Sequence, residues 1–245
     1  MSKIVYRTLD FFELFAAQKR PLSLTELTKL LDVPLSSCHD VVRALEQRGY
    51  LYEVKARMGY YPTAKLFEVA KVLVDNDPVS QRAEPILQAL SSALNASVSL
   101  GKAKDAQLTY LVVCAPDDPL RFSVTVGSTA RNLYATSAGK AVLGSFPLAR
   151  QKAILAETVL TPLTPHTITS KAVLLKDLEL SEKRGWYENR EESVEDALTV
   201  STRFTWNGST YVITVAGTLN RMERQFDHVV GMLLETTREL SGQGQ

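Results

Sequence analysis

Only two cysteines, Cys38 and Cys114, occur in 245 residues. They form no metal-ligand spacing and are too few for a disulfide framework, so both thiols are expected to be reduced in a cytoplasmic protein. Histidine is scarce too, at three residues. His166 and His228 are isolated, with no metal spacing around them, and no metal or cofactor is expected. Long apolar runs are missing too. None approaches the ~20 residues that span a bilayer, and the first residues lack the apolar core of a signal peptide, so no membrane is expected as a partner. Charge of one sign is lacking as well: 28 basic residues face 27 acidic ones. Up to Asp75 the balance is +2, and beyond it −1. So even a balance argues against strong nonspecific binding to nucleic acid by a monomer, and a dimer that doubles the contacts eases the difficulty. The length suits one large or two modest domains.

What is present is most informative between Pro21 and Tyr61. Ser23-x-x-Glu26 has the spacing of a capping box. Leu24, Leu27, Leu30 and Leu31 follow at three- and four-residue steps, which predicts a helix with one apolar stripe. Asp32-Val33-Pro34 interrupts it, since proline lacks an N–H and disfavours helix in the residue before it. A second helix is predicted to start near Ser36 or Ser37, with Cys38, Val41, Val42 and Leu45 buried and Gly49 as the residue just past its end. Upstream, Val5, Leu9, Phe12 and Ala16 mark an opening helix that completes a small core. Two amphipathic helices across so short a connection match a helix-turn-helix. An ordinary helical hairpin with a solvated polar face has the same spacing. The next residues favour the DNA reader. Tyr50 to Val54 and Tyr60-Tyr61 are rich in strand formers, and Lys55 and Arg57 lie between them, where a basic hairpin tip meets phosphates. On the second helix Ser36, Ser37, His39 and Arg43 are left outside, all able to hydrogen-bond bases or phosphates.

Beyond Asp75 the period changes. Lys65 to Val74 reads as a connecting helix and Pro85 to Leu94 as another. Segments 97–101, 108–114, 122–126, 197–205 and 210–218 read as strands, the last two joined across the turn signal Asn207-Gly208. Helices are predicted over 136–144, 148–157, 171–184 and 222–240, with a Thr/Pro-rich loop over 158–170. The expected class is α+β.

Taken together, the chain resembles the IclR family of bacterial transcriptional regulators. The likeness rests on the winged N-terminal module, on Leu133-Tyr134-Ala135-Thr136-Ser137-Ala138-Gly139-Lys140-Ala141-Val142-Leu143, and on Lys183-Arg184-Gly185-Trp186 through Arg190-Glu191-Glu192. It implies a winged helix-turn-helix over 1–63, a linker helix over 64–77 and a GAF-like effector-binding domain over 78–245. It also implies a double-stranded DNA operator, a homodimer through the winged domains and often a tetramer. Pocket positions carried over from the family fall at Arg131, Ser137, Ala138, Asn189, Ala197, Thr199, Thr214 and Ala216. Asp40 stands where relatives often carry Arg or another base-contacting residue; an acid there is able to accept from cytosine N4. Ser137 at a helix start and Arg131, if it points inward, suit a carboxylate, so a small organic or aromatic acid from catabolism is the expected effector. Glu191 and Glu192 resemble a catalytic pair only on paper, and Lys140 is expected to be structural.

Two other functions compete. A hydrolase-like enzyme needs a nucleophile beside a base, and Ser137 has no evident His partner in sequence. A dimeric adaptor with a degenerate DNA module fits the low basic charge.

Overall fold

The computed structural model describes residues 3–55, 58–116, 124–130 and 132–242. The chain divides into two compact units, 1–76 and 77–245.

In the first unit α1 (Lys3–Gln18), α2 (Leu24–Leu31) and α3 (Leu35–Gln47) precede a hairpin of β1 (Leu51–Lys55) and β2 (Gly59–Pro62) and then α4 (Lys65–Asp75). The predicted capping box forms in full: the Ser23 hydroxyl accepts from the Glu26 N–H, and the Glu26 carboxylate accepts from the Ser23 N–H at 2.9 Å. Asp32 takes the left-handed conformation and ends α2, so three residues turn the chain into α3. Cys38, Val41, Val42 and Leu45 are buried as expected. Gly49 has a φ of +73° just beyond α3. The wing is seated by Gly59, where an added Cβ would lie 2.6 Å from the Leu22 backbone, and by paired bonds between Leu22 and Tyr60.

The opening helix corrects the reading of its face. Phe11 and Phe15 fill the core, while Val5, Leu9 and Ala16 are exposed. Aromatic bulk decides it: Phe11 and Phe15 bury more apolar area against Leu27, Val41 and Leu45 than the smaller stripe offers.

The second unit opens with α5 (Pro78–Leu94), capped by Asp77. It starts earlier than Pro85, because Pro78 occupies the first turn, where its missing N–H costs nothing. Then follow β3 (Ser97–Lys104), β4 (Gln107–Cys114), a 3-10 turn at Leu133–Ala135, α6 (Ser137–Gly144), α7 (Leu148–Glu157), α8 (Lys171–Arg184), β5 (Tyr187–Arg190), β6 (Ala197–Trp206), β7 (Ser209–Thr218), α9 (Leu219–Arg224) and α10 (Phe226–Gly242). Among the described residues the strands form an antiparallel sheet in the order β4-β3-β7-β6-β5.

Three further expectations change. Residues 124–126 are coil and turn, with Phe122 outside the described residues. The segment instead turns at Gly127 and runs along β4, with Ala130 N–H donating to Leu108 O and Tyr110 N–H to Ser128 O. Tyr187–Arg190, read only as part of a motif, is a short edge strand. The final helix breaks at Gln225 into α9 and α10, and Gln225 donates to Leu94 O.

Period-two alternation divides the sheet. Val98, Leu100, Leu198, Val200, Ile213 and Val215 point to one face, under α5 and α10, with Leu87, Leu90, Val229 and Leu233. The intervening residues Ser97, Ser99, Thr199, Ser201, Thr214 and Ala216 point to the other, which α6 covers.

The capping box has a pH signature. Hydrogen bonds from the Ser23 backbone first, then its hydroxyl and Arg20, hold the Glu26 carboxyl down to about 2. A depressed carboxyl stabilises the fold above its ordinary value and loses that contribution as the pH falls from 4.5 towards 2. Glu26→Ala is therefore expected to lower the calorimetric midpoint of the first unit at neutral pH, with the gap closing through that acid window.

Candidate functional site

On the first unit α3 presents its N-terminal half outward. Ser36, His39, Asp40 and Arg43 are exposed and Ser37 is half-buried. Arg43 has no ion pair among the described residues, and His39 Nδ1 lies 3.9 Å from Asp40 Oδ1. Lys55 is exposed at the end of β1; Arg57 lies outside the described residues. The buried face of α3 thus orients the side chains that the sequence singled out. Val42, His39, Arg43 and Glu46 line a shallow depression with Tyr60 from the wing.

On the second unit a cavity of about 230 Å³ lies between the small-residue face of the sheet and the start of α6. Ser137, Ala138, Asn189, Thr199, Thr214 and Ala216 line it, as the resemblance implies. Ala197, although buried on β6, is not among its walls, and Arg131 lies outside the described residues. Sequence reasoning missed Ser97, Ser99, Tyr110, Val113, Thr136 and Ser193. The signal for the first two was the Ser-Val-Ser alternation at 97–99, which places hydroxyls opposite a buried valine.

Several features shape the donors around this space. Thr136 caps α6 by accepting from Gly139 N–H at 3.0 Å, which leaves the Ser137 and Ala138 N–H groups without an intrahelical acceptor. Gly139 allows the helix to start there, because a Cβ would fall 2.3 Å from the Leu133 backbone. Across β6, α6 and β7 the hydroxyls of Thr199, Ser137, Ser201 and Thr214 form a row with separations of 2.6, 2.8 and 2.8 Å. Asn189 commits both amide protons, to Ala135 O and to Ser193 Oγ, and its oxygen accepts from Glu192 N–H. It positions the rim more than it offers itself to a ligand.

Beneath the cavity lies a buried charge cluster. Lys140, 1 % exposed, donates to Glu192 Oε1 at 2.5 Å and to Glu188 O, and lies 2.9 Å from Asp177 Oδ2. Burial pushes the Glu192 carboxyl up, against the pull of the Lys140 ammonium. The turn after β5 is tied from the other side by Thr164 and Thr167, whose hydroxyls donate to the Glu191 and Glu192 carbonyls at 2.6 Å each. Lys140 and Glu192 are thus structural, as expected. Lys140→Met leaves the buried Glu192 and the half-buried Asp177 without their cation, and a loss of about 3–5 kcal/mol is expected in denaturant titration.

Comparison with known proteins places this geometry. Residues 5–55 match the IclR helix-turn-helix domain, and residues 71–242 match the family described as bacterial transcriptional regulator IclR C-terminal. The chain is similar to the probable transcriptional regulator SauR of Cupriavidus necator, at 24% identity over 93% of this chain and 90% of that protein. A solved regulator from Rhodococcus sp. RHA1 superposes with a TM-score of 0.80 at 18% identity, covering 100% of this chain and 98% of that one. An IclR homolog from Microbacterium hydrocarbonoxydans, solved with 4-hydroxybenzoate, superposes with a TM-score of 0.76 at 16% identity, with 98% of each chain covered.

Proposed function

Because this chain belongs to the IclR family and is a transcriptional regulator rather than an enzyme, we propose that it is a homodimeric switch on DNA, set by a small organic acid. The observation that carries the reading is the cavity at the start of α6, where two N–H groups and a row of hydroxyls meet. A helix N-terminus offers N–H donors and the positive end of the helix dipole, both suited to a carboxylate. The cavity is smaller than the ~300–1,000 Å³ of sites for drug-sized ligands, so the acid is small. The bound acid of the Microbacterium homolog agrees with this choice.

DNA contact is assigned to Ser36, Ser37, His39, Asp40 and Arg43 at the front of α3, with Lys55 on the wing reaching phosphate. Dimerisation is assigned to α1 and α4, which carry apolar faces that their own unit leaves open. Phe67 is 70% and Leu73 68% exposed, and Ile4, Val5 and Leu9 are exposed along α1. Such area in one small unit marks an interface. Regulation then requires the acid to favour one arrangement of the two reading helices over another, since a ligand indifferent to both shifts nothing.

Gel shifts with DNA from upstream of the protein's own gene test the first part. Arg43→Ala is expected to weaken binding by about 1–3 kcal/mol, and Asp40→Ala to alter sequence preference or raise nonspecific binding. Unchanged binding by both variants would remove α3 from the interface. Sedimentation tests the second part: Phe67→Glu is expected to shift the dimer to monomer, and a variant that stays dimeric refutes the assignment.

A further inference from the structure

The row of hydroxyls has a polarity that restricts the ligand further. Each hydroxyl brings one proton and two acceptor positions. Four hydroxyls joined by three bonds spend three protons and keep one. Here Ser201 donates to Ser137, so the bond between Ser201 and Thr214 is made with the Thr214 proton. The remaining proton therefore belongs to the Ser137 and Thr199 pair, at the α6 end. Thr214 is left with acceptor capacity only.

A second, independent group lies diagonally across from Thr214, one same-face pair along the β3–β7 ladder. Ser97 on β3 lines the cavity, is only 6% exposed, and its Oγ has no hydrogen-bond partner among the described residues. Strand register fixes its place: Ser97 pairs with Ala216 and Ser99 with Thr214 on the neighbouring strand. A buried hydroxyl without a partner destabilises the fold, and a ligand group that bonds it recovers that loss. The cavity thus has a donor end, formed by Ser137 N–H, Ala138 N–H and the spare proton. Its β3 and β7 side asks for one group that donates to Thr214 and accepts from Ser97. Between them Val113 and Tyr110 supply apolar wall.

We infer that the effector is a small hydroxycarboxylic acid, held by its carboxylate at the start of α6 and by its hydroxyl between Thr214 and Ser97. The inference rests on the acid reading above and adds the second group. A ketone accepts from Ser97 but gives Thr214 nothing. A methyl ether does the same and adds bulk. A plain acid leaves both unsatisfied. The discriminating residues are therefore Thr214 and Ser97, and Thr199, Ser137 and Ser201 orient Thr214 through the row.

Calorimetry on the full-length protein with matched probes tests this. The pairs are 3-hydroxybutyrate against acetoacetate and 4-hydroxybenzoate against 4-methoxybenzoate, with 4-hydroxybenzamide as the uncharged arm. In whichever pair binds, the hydroxy acid is expected to bind about tenfold more tightly, the order of one hydrogen bond. Thr214→Val is expected to abolish that preference and Thr214→Ser to restore it; Ser97→Ala is expected to reduce it, which covers the case in which Thr214→Val fails to fold. Equal affinity within a pair, or a preference that survives both Thr214→Val and Ser97→Ala, overturns the inference. Binding of the uncharged probe in place of the acids, with the same dependence on Thr214, supports the hydroxyl assignment and overturns the acid reading. Failure of every probe overturns both.

Discussion

The register of three neighbouring strands is the constraint on which the sensing unit depends. Pairing Ser97 with Ala216, Ser99 with Thr214, Thr199 with Ala216 and Ser201 with Thr214 puts small side chains in two adjoining rows on one face of the sheet. Their neighbours Val98, Val200, Ile213 and Val215 fill the opposite face. A slip of one residue would send the hydroxyls into the apolar core and the valines into the cavity. The buried face is what forbids the slip. The polar cavity is thus specified by the hydrophobic burial on its reverse side.

The start of α6 must be held against that face, and charge holds it. One buried ammonium, Lys140, joins α6 to α8 through Asp177, to β5 through the Glu188 carbonyl and to the turn after β5 through Glu192. Such a cluster contributes less to net stability than its short distances suggest, because each ion gives up its hydration. Its value lies in geometry. The end of β5 and this turn carry Asn189 and Ser193 at the cavity rim, and Thr164 and Thr167 brace the turn from the long loop before α8. Any movement of the rim on ligand binding would strain this cluster, which gives the pocket a physical route to the rest of its unit.

Function divides between the two units along a line of chemistry. The first unit offers side chains outward on α3 and keeps Cys38, Val41, Val42 and Leu45 inside to aim them. The second turns its polar groups inward, where low dielectric strengthens every hydrogen bond. In the cavity the hydroxyls of Thr199, Ser137, Ser201 and Thr214 bond one another.

Local rules made much of this legible in sequence. The Ser23 capping box, the break at Pro34, the buried stripe of α3, the helix over 171–184 and the hairpin at Asn207-Gly208 each depend on residues within a few positions of one another. Motif likeness supplied Ser137, Thr199 and Thr214 as pocket residues. The rest was decided by partners far away in the chain. Which face of α1 is buried depends on Val41 and Leu45, so Phe11 and Phe15 displaced the expected stripe. Ser97 became a pocket residue only because β7, more than a hundred residues on, lies beside it in one register. The hydroxyl row joins positions 62 to 64 residues apart, and no periodicity reports such a bond. Sequence determined the elements and the chemistry they carry, because turns, caps and amphipathic stripes are short-range. Tertiary structure alone decided which hydroxyls meet and which remain free, because that is a matter of strand register and helix seating.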